Sequence, residues 1–469
     1  MPKKPLTIHY QNTLSTAVGE AHGLTPGEIR RAEPAVSEIV ARVERERKEG
    51  RHRYRDLPND REMLAAVEKA IRKHRRGVEN LVVLGIGGSA LGNIALQTAL
   101  NGAHYNLLPA SKRGGPRLFV MDNVDPVHFG GLLDLLGSSL NRTLFNVISK
   151  SGETAETAAQ FLVVRELLAR RLGAKQLAKR MLVTTDPDGG TLREIALAEG
   201  YERLPVPPGV GGRFSALSAV GLFSAGMCGA DLGELLAGAD AMGRRAAERR
   251  VSRNPAAMLA LLLHAFYSRG KRLHVLMPYS QQLRDLADWY CQLWAESLGK
   301  RLDRDGQVVS CGPTPIRALG ATDQHSQIQL YREGPNDKVL LLVEVEKFAR
   351  DVKIPKRAGT PEILRYLEGS TMGTLLNAEK RATELALAAS QRPNLTIRFP
   401  AVDEHTVGQF MMLWEAATTI AGNLLHIDPY DQPAVQLGKD YTYALMGKKG
   451  YEKTARELGK ASRGRAYVV

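Results

Sequence analysis

"VVLGIGGSALGN", Val82 to Asn93, is an apolar run that breaks into glycines and then resumes with helix formers. Strand, glycine turn and helix in that order form the building unit of a parallel α/β sheet. A glycine turn opening a helix also suits the close approach of a phosphate to backbone N–H groups. The same texture recurs downstream. Short apolar runs stand at "LVVLGI" (Leu81 to Ile86), "RLFVMD" (Arg117 to Asp122), "TLFNVIS" (Thr143 to Ser149) and "RMLVTTD" (Arg180 to Asp186). Segments of helical period lie between them, such as "ETAETAAQFLVVRELLARRLG". Alternation of this kind predicts βαβ units in a doubly wound, mainly parallel sheet.

A second α/β passage opens at "RLHVLMPYS" (Arg272 to Ser280) and continues through "KVLLLVEVEKF" (Lys338 to Phe348) and "NLTIRFP" (Asn394 to Pro400). The helix "QLRDLADWYCQLWAESLGK" follows its first strand, as a helix follows "VVLGIGG" in the first passage. The fold class expected is therefore α/β, with two doubly wound, mainly parallel-sheet domains and flanking N- and C-terminal helices. The boundaries expected are a helical segment over 1–75, a first α/β domain over 76–210 and a helical connection over 211–270. A second α/β domain over 271–430 and a C-terminal segment with a tail helix over 431–469 complete the chain.

Composition sets outer limits. A chain of 469 residues with 43% hydrophobic residues can bury more than one core. The formal charge of +14 would suit nucleic acid, an acidic substrate or solubility alone. Its arginine clusters, "ARVERERKEGRHRYRD" and "RRAAERR", are mixed-sign and lack interleaved aromatics, so they read as solvated helix faces rather than a nucleic-acid groove. Cys228, Cys291 and Cys311 are too few and too scattered for a disulfide framework or a zinc site, and read as buried thiols. The start "MPKKPLTIHYQN" lacks the apolar core of a signal peptide, and "AAMLALLLHAFY" (Ala256 to Tyr267) is too short to span a bilayer. A cytoplasmic protein without nucleic-acid or membrane partners is expected.

Whose phosphate the first glycine turn serves is open at this level. Gly85, Gly87 and Ala90 fit the permissive dinucleotide fingerprint, and Asp122 offers a carboxylate at the end of the next apolar run, though further on than usual. The end of the third run, "SKSGETAET" (Ser149 to Thr157), points elsewhere. Ser149, Lys150, Ser151, Thr154 and Thr157 crowd the start of a helix, where donors and the helix dipole suit a phosphate dianion. Ordinary N-capping would need only one hydroxyl. With Gly88 and Ser89 on the neighbouring loop, a phosphomonoester such as a sugar phosphate is favoured over a dinucleotide.

Here the motifs resemble a known family. "GIGGSALG", "SKSGETAET", "GVGGRFSALSAVG", "WAESLGK", "TDQHSQ" and "GNLLHIDPYDQPAVQLGK" occur in the order found in the phosphoglucose isomerase family, over roughly Gly85 to Lys439. The resemblance implies two sugar-isomerase-type α/β domains, a homodimer, no metal and no cofactor. It implies interconversion of glucose 6-phosphate and fructose 6-phosphate, a reaction of glycolysis and gluconeogenesis. That chemistry needs a base for the proton alpha to a carbonyl, a cation for the developing enediolate and an acid/base pair for ring opening.

Glu296 in "QLWAESLGK" is the candidate base, with Gln292 one turn earlier on the same helix face. An exposed Glu296–Lys300 ion pair is the plainer reading of the same spacing. The resemblance makes Glu296 the catalytic glutamate and Gln292 a substrate contact. It makes Arg213 in "GGRFS" the arginine beside the enediolate, where a surface or interdomain ion pair would otherwise be read. His325 in "ATDQHSQIQ" resembles the ring-opening histidine, which reaches the partner subunit's site, with Asp323 as a candidate to orient it. Lys439 resembles the lysine near the ring oxygen, and Gln432 a phosphate-side contact. A non-catalytic sugar-phosphate sensor is the competing reading; it would have no need of Glu296, Arg213, His325 and Lys439 together.

Overall fold

All four apolar runs of the first passage are strands in the computed structural model, which describes residues 3–461. The sheet they form runs Arg117–Met121, Asn80–Leu84, Thr143–Ile148, Met181–Thr185, Glu202–Pro205, with every neighbouring pair parallel. Asn80–Leu84 and Thr143–Ile148 are buried throughout, which is why they read as continuous apolar runs rather than as an alternation. The chain leaves Asn80–Leu84 toward one edge and returns to the other side at Thr143–Ile148. The order therefore reverses between these two strands, and the loops that follow them part there. An open α/β sheet offers a ligand its crevice at such a switch point.

The second sheet runs Thr7–His9, Asn394–Ala401, Lys338–Lys347, Leu273–Pro278, Thr314–Arg317. Its four later strands are parallel, and Thr7–His9 pairs antiparallel with Asn394–Ala401. This corrects the expectation of helices throughout residues 1–75: the first strand of the chain closes the edge of the last sheet. The strands Thr7–His9, Thr314–Arg317 and Glu202–Pro205 have only three or four residues each and sit at sheet edges, too short to show a period. Residues 462–469, the end of the expected tail segment, lie outside the described residues.

Helices join the two sheets. Pro26–Lys48 starts at a capping box in which Thr25 and Glu28 satisfy each other's backbone N–H groups. Pro255–Ser268, the apolar stretch too short for a membrane, is a core helix capped by Asn254. Glu404–Leu424 is buried on nearly every side, including Phe410, Met411 and Trp414, and packs on Leu232–Ala246 and Pro255–Ser268. One continuous apolar cluster runs from Leu81 and Leu144 of the first sheet to Leu341 and Ile397 of the second. At roughly 1.5–3 kcal/mol for each large side chain buried, this shared core holds the sheets in fixed relation. No helix among the described residues is long and apolar enough to cross a membrane. Cys228 is buried and Cys291 and Cys311 are half-buried, all three as free thiols.

Candidate active site

The helix Arg284–Leu298 turns Leu286, Trp289, Tyr290, Leu293 and Trp294 into the core. Their spacing of three and four residues makes one apolar face. Gln292 and Glu296, one turn apart, fall outside it, and Gln292 Nε2 donates to Glu296 Oε2 at 3.0 Å. The other carboxylate oxygen, Oε1, lies 3.2 Å from Nη1 of Arg213. Lys300 does not form the expected ion pair with the Glu296 side chain. Its ammonium instead takes the backbone carbonyl of Glu296 at 3.0 Å and turns to Asp431.

Arg213 is only 3% exposed, at the centre of a single helical turn, Gly212–Phe214, in the glycine-rich crossing. Its Nε donates to Ser297 Oγ at 2.7 Å and its Nη1 to Gln432 Oε1 at 2.8 Å. Its Nη2 donates to the carbonyls of Pro429 and Asp431. Burial pulls the guanidinium below the ordinary arginine value, and the Glu296 carboxylate works against that shift. A cation this buried needs every donor matched, and here each nitrogen has an oxygen partner. The crossing is thus no surface ion pair but a buried hub between the helix of Glu296 and the "DPYDQP" segment.

The glycines of the opening motif acquire a use that differs from the expected one. A Cβ on Gly88 would stand 2.1 Å from the carbonyl carbon of Gly212 and 2.6 Å from the amide nitrogen of Arg213. Gly88 is therefore bare because the crossing packs against it. Gly87 has φ +58°, and a Cβ there would press on the Gln292 amide at 3.0 Å. These glycines seat the Arg213 hub; Ser89, at the end of the same turn, lines the cleft with a hydroxyl that has no hydrogen-bond partner among the described residues.

The second loop explains its excess of hydroxyls. Ser149 Oγ accepts the Gly152 N–H and lies 3.3 Å from Thr154 Oγ1, while Ser151 Oγ accepts the Glu153 N–H. They shape the loop rather than cap the helix. Thr154 stands at the N-cap of Ala155–Leu172 and makes no side-chain cap. The helices Pro26–Lys48, Arg61–His74, Leu232–Ala246 and Glu404–Leu424 all have side-chain caps. An 18-residue helix thus presents unpaired N–H groups and its positive end to the crevice.

A cleft of about 940 Å³ joins these parts. Its walls bring together Gly88, Ser89, Ser149, Lys150, Ser151, Thr154, Arg213, Gln292, Glu296, Gln432 and Lys439. Lys439 comes from the exposed helix Val435–Leu445. Neither Lys150 nor Lys439 has an ion-pair partner among the described residues, so both ammonium groups are free for an anion. Gln432, expected as a phosphate-side contact, has its amide oxygen committed to Arg213 beside Glu296. Asp122, the carboxylate of the dinucleotide reading, is not on the cleft wall. Sequence reasoning passed over Ser297, which accepts from Arg213, and Asp186, which lines the cleft as Thr157 of the hydroxyl-rich turn does. Asp186 stood at the end of a recognised strand, the position that could have marked it. No group of three or more His, Cys, Asp or Glu among the described residues could hold a metal ion.

His325 is the exception to this convergence. It follows the turn Thr322–Gln324, is exposed, and does not line the cleft of its own chain. Asp323 does not orient it: the Asp323 carboxylate accepts from the Leu319 N–H and the Ser326 hydroxyl.

Comparison with known proteins follows the same outline. The Phosphoglucose isomerase family profile matches residues 61–349. The chain is similar to a glucose-6-phosphate isomerase of Rubrobacter xylanophilus, 45% identical over 448 residues covering 95% of this chain and 99% of the relative. A glucose-6-phosphate isomerase of Carboxydothermus hydrogenoformans is likewise 45% identical, over 87% of each chain. Among solved structures, a hypothetical protein of Thermus thermophilus superposes with a TM-score of 0.84 at 38% identity, covering 94% of this chain and 99% of that one. A Chlamydia trachomatis glucose-6-phosphate isomerase, at 24% identity, shares the fold with a TM-score of 0.72, covering 85% of this chain and 76% of that one. With a family profile across most of its length and relatives this similar from end to end, the chain belongs to the phosphoglucose isomerase family.

Proposed function

We propose that this protein catalyses the reversible isomerisation of glucose 6-phosphate and fructose 6-phosphate, through ring opening and a cis-enediolate. The observation that carries the proposal is the Glu296 carboxylate, 27% exposed at the cleft and 3.2 Å from the buried Arg213. It puts a proton acceptor beside a fixed positive charge, at one end of a crevice whose other end suits a phosphate.

The phosphate binds at the uncapped start of Ala155–Leu172, with Ser89, Ser149, Ser151, Thr154 and Lys150 around it. That anchors the sugar with carbons 1 and 2 toward Glu296. Once the ring is open, Glu296 takes the proton from carbon 2 of the aldose and returns it to carbon 1, while a hydroxyl proton passes from oxygen 2 to oxygen 1. No electrons leave the substrate. Charge gathers on the oxygens in between, where Arg213 stands in a largely dehydrated setting and its field counts for more than in water. Gln292 holds one carboxylate oxygen in line. As Glu296 turns to the substrate, the Nη1 N–H that faced it becomes available to the enediolate.

Ring opening falls to Lys439, near the ring oxygen, and to a histidine that passes protons near neutral pH. His325 is exposed and away from its own cleft, which supports a homodimer in which His325 of the partner subunit completes each site. The setting proposed is the cytoplasm, with sugar phosphates as the small-molecule partners.

The test is conversion of fructose 6-phosphate to glucose 6-phosphate, coupled to an NADP-linked dehydrogenase, for wild type and Glu296→Gln. Fast wild-type turnover, a loss of about a thousandfold in the variant and retained sugar-phosphate binding are expected. Wild-type protein that bound the sugar phosphate without turning it over would sink the proposal.

A further inference from the structure

We infer that Lys300 is a positioning residue for the isomerisation: it locks the end of the helix bearing Glu296 to the segment bearing Gln432 and Lys439. The inference rests on the proposed function and concerns a residue that never meets the substrate.

The Lys300 side chain is 5% exposed, and its ammonium has three oxygen partners. It donates to the Glu296 carbonyl at 3.0 Å and to the Asp431 carbonyl at 2.6 Å, and it lies 3.0 Å from Asp431 Oδ1. The Glu296 carbonyl belongs to the last turn of Arg284–Leu298, where carbonyls have no partner within the helix. A cation there satisfies both the orphan oxygen and the negative end of the helix dipole. The bond is to the very residue that carries the base, so it fixes the backbone from which the carboxylate projects.

The other anchor is shared. The Asp431 carbonyl also accepts from Arg213 Nη2 at 3.1 Å. Two buried cations therefore grip one peptide, and Arg213 further holds Pro429 and Gln432. From behind, the Tyr430 hydroxyl lies 2.6 Å from His52 Nδ1 and 2.8 Å from Thr419 Oγ1. Lys300 is the member of this set that ties the backbone of Glu296 to the segment of Lys439. Without it, the hydrogen bonds and ion pairs that join Glu296 and Ser297 to this segment among the described residues run through the Arg213 side chain. Misplacement of reacting groups by about 1 Å can cost about a hundredfold in rate.

The experiment is a double-mutant cycle on the full-length protein, crossing Lys300→Met and, separately, Lys300→Arg with Glu296→Gln. For Lys300→Met, kcat should fall about 10- to 100-fold, while KM for fructose 6-phosphate and the inhibition constant of inorganic phosphate change less than about threefold. Lys300→Arg, which keeps a cation, should recover part of the loss and supplies the cycle if the methionine variant does not fold. In the Glu296→Gln background either change should cost almost nothing more, because its effect runs through the base. A kcat within about threefold of wild type, or a loss that adds in full to that of Glu296→Gln, would overturn the inference. So would an equal rise in the phosphate constant, the mark of a general distortion. Wild-type protein without isomerase activity would instead bring down the proposed function itself.

Discussion

Arg213 Nη1 sits 3.2 Å from Glu296 Oε1 although the two stand far apart in the chain, and the Arg213 side chain is only 2% exposed. The pair makes this end of the cleft a buried charge arrangement rather than two independent surface groups. Arg213→Lys keeps the charge but loses the planar fork that reaches Ser297, Gln432, Pro429 and Asp431 together. The expected result is a kcat lower by about 100- to 1000-fold, the scale of losing one preorganised donor at a developing oxyanion. A lysine variant with kcat within about tenfold of wild type would show that the fork is dispensable.

Gly88→Ala should be damaging and Gly211→Ala mild. A Cβ on Gly88 would collide with the backbone of Gly212, whereas one on Gly211 would meet nothing within 4 Å at a φ of −75°. The collision cannot be relieved without moving Arg213, so kcat should fall by about a hundredfold or more. Steady-state kinetics of the two variants make the comparison. Equal activity in both would mean that the glycine turn does not seat the crossing.

Glu415 gives stability a pH dependence. It is fully buried, its two carboxyl oxygens have no hydrogen-bond partner among the described residues, and burial raises its pKa well above the usual carboxylate range, opposed only in part by Arg55. The folded state therefore holds this proton at pH values where the unfolded chain releases it. Stability from this group is complete below the unfolded carboxylate value and is lost as pH rises toward the folded one, by up to about 1.4 kcal/mol per pH unit. Glu415→Gln keeps the shape and removes the titration. Its Tm should gain on wild type steadily from about pH 5 to 8, read by thermal melts across that range. Parallel Tm curves would show that Glu415 is not held protonated.

Subunit mixing tests the shared site. If His325 serves the partner's cleft, Glu296→Gln and His325→Ala proteins should each be nearly inactive, yet regain activity when denatured together and refolded. Random pairing makes about half the dimers hybrid, each with one intact site, so about a quarter of wild-type activity should return. No recovery in refolded mixtures would place His325 outside the partner's site.

Much of this protein was legible along the chain because its signals are local. The strands Asn80–Leu84 and Thr143–Ile148 are buried and largely apolar, as is the VLLLV stretch of Lys338–Lys347, and the Gln292–Glu296 spacing puts two side chains on one helix face wherever that helix packs. The hydroxyl-rich turn at Ser149 to Thr157 announces a helix start by composition alone. Tertiary structure decided whatever depends on a distant partner. Thr7–His9 is a strand only because Asn394–Ala401 offers it an edge, since three residues carry no period of their own. Gly88 is bare for the sake of Gly212, Arg213 is buried by residues up to 219 positions away, and Lys300 abandons the Glu296 carboxylate for Asp431. Buried charges take the oxygens that packing delivers, and that delivery is fixed by the long-range assembly of the two sheets, not by spacing along the chain.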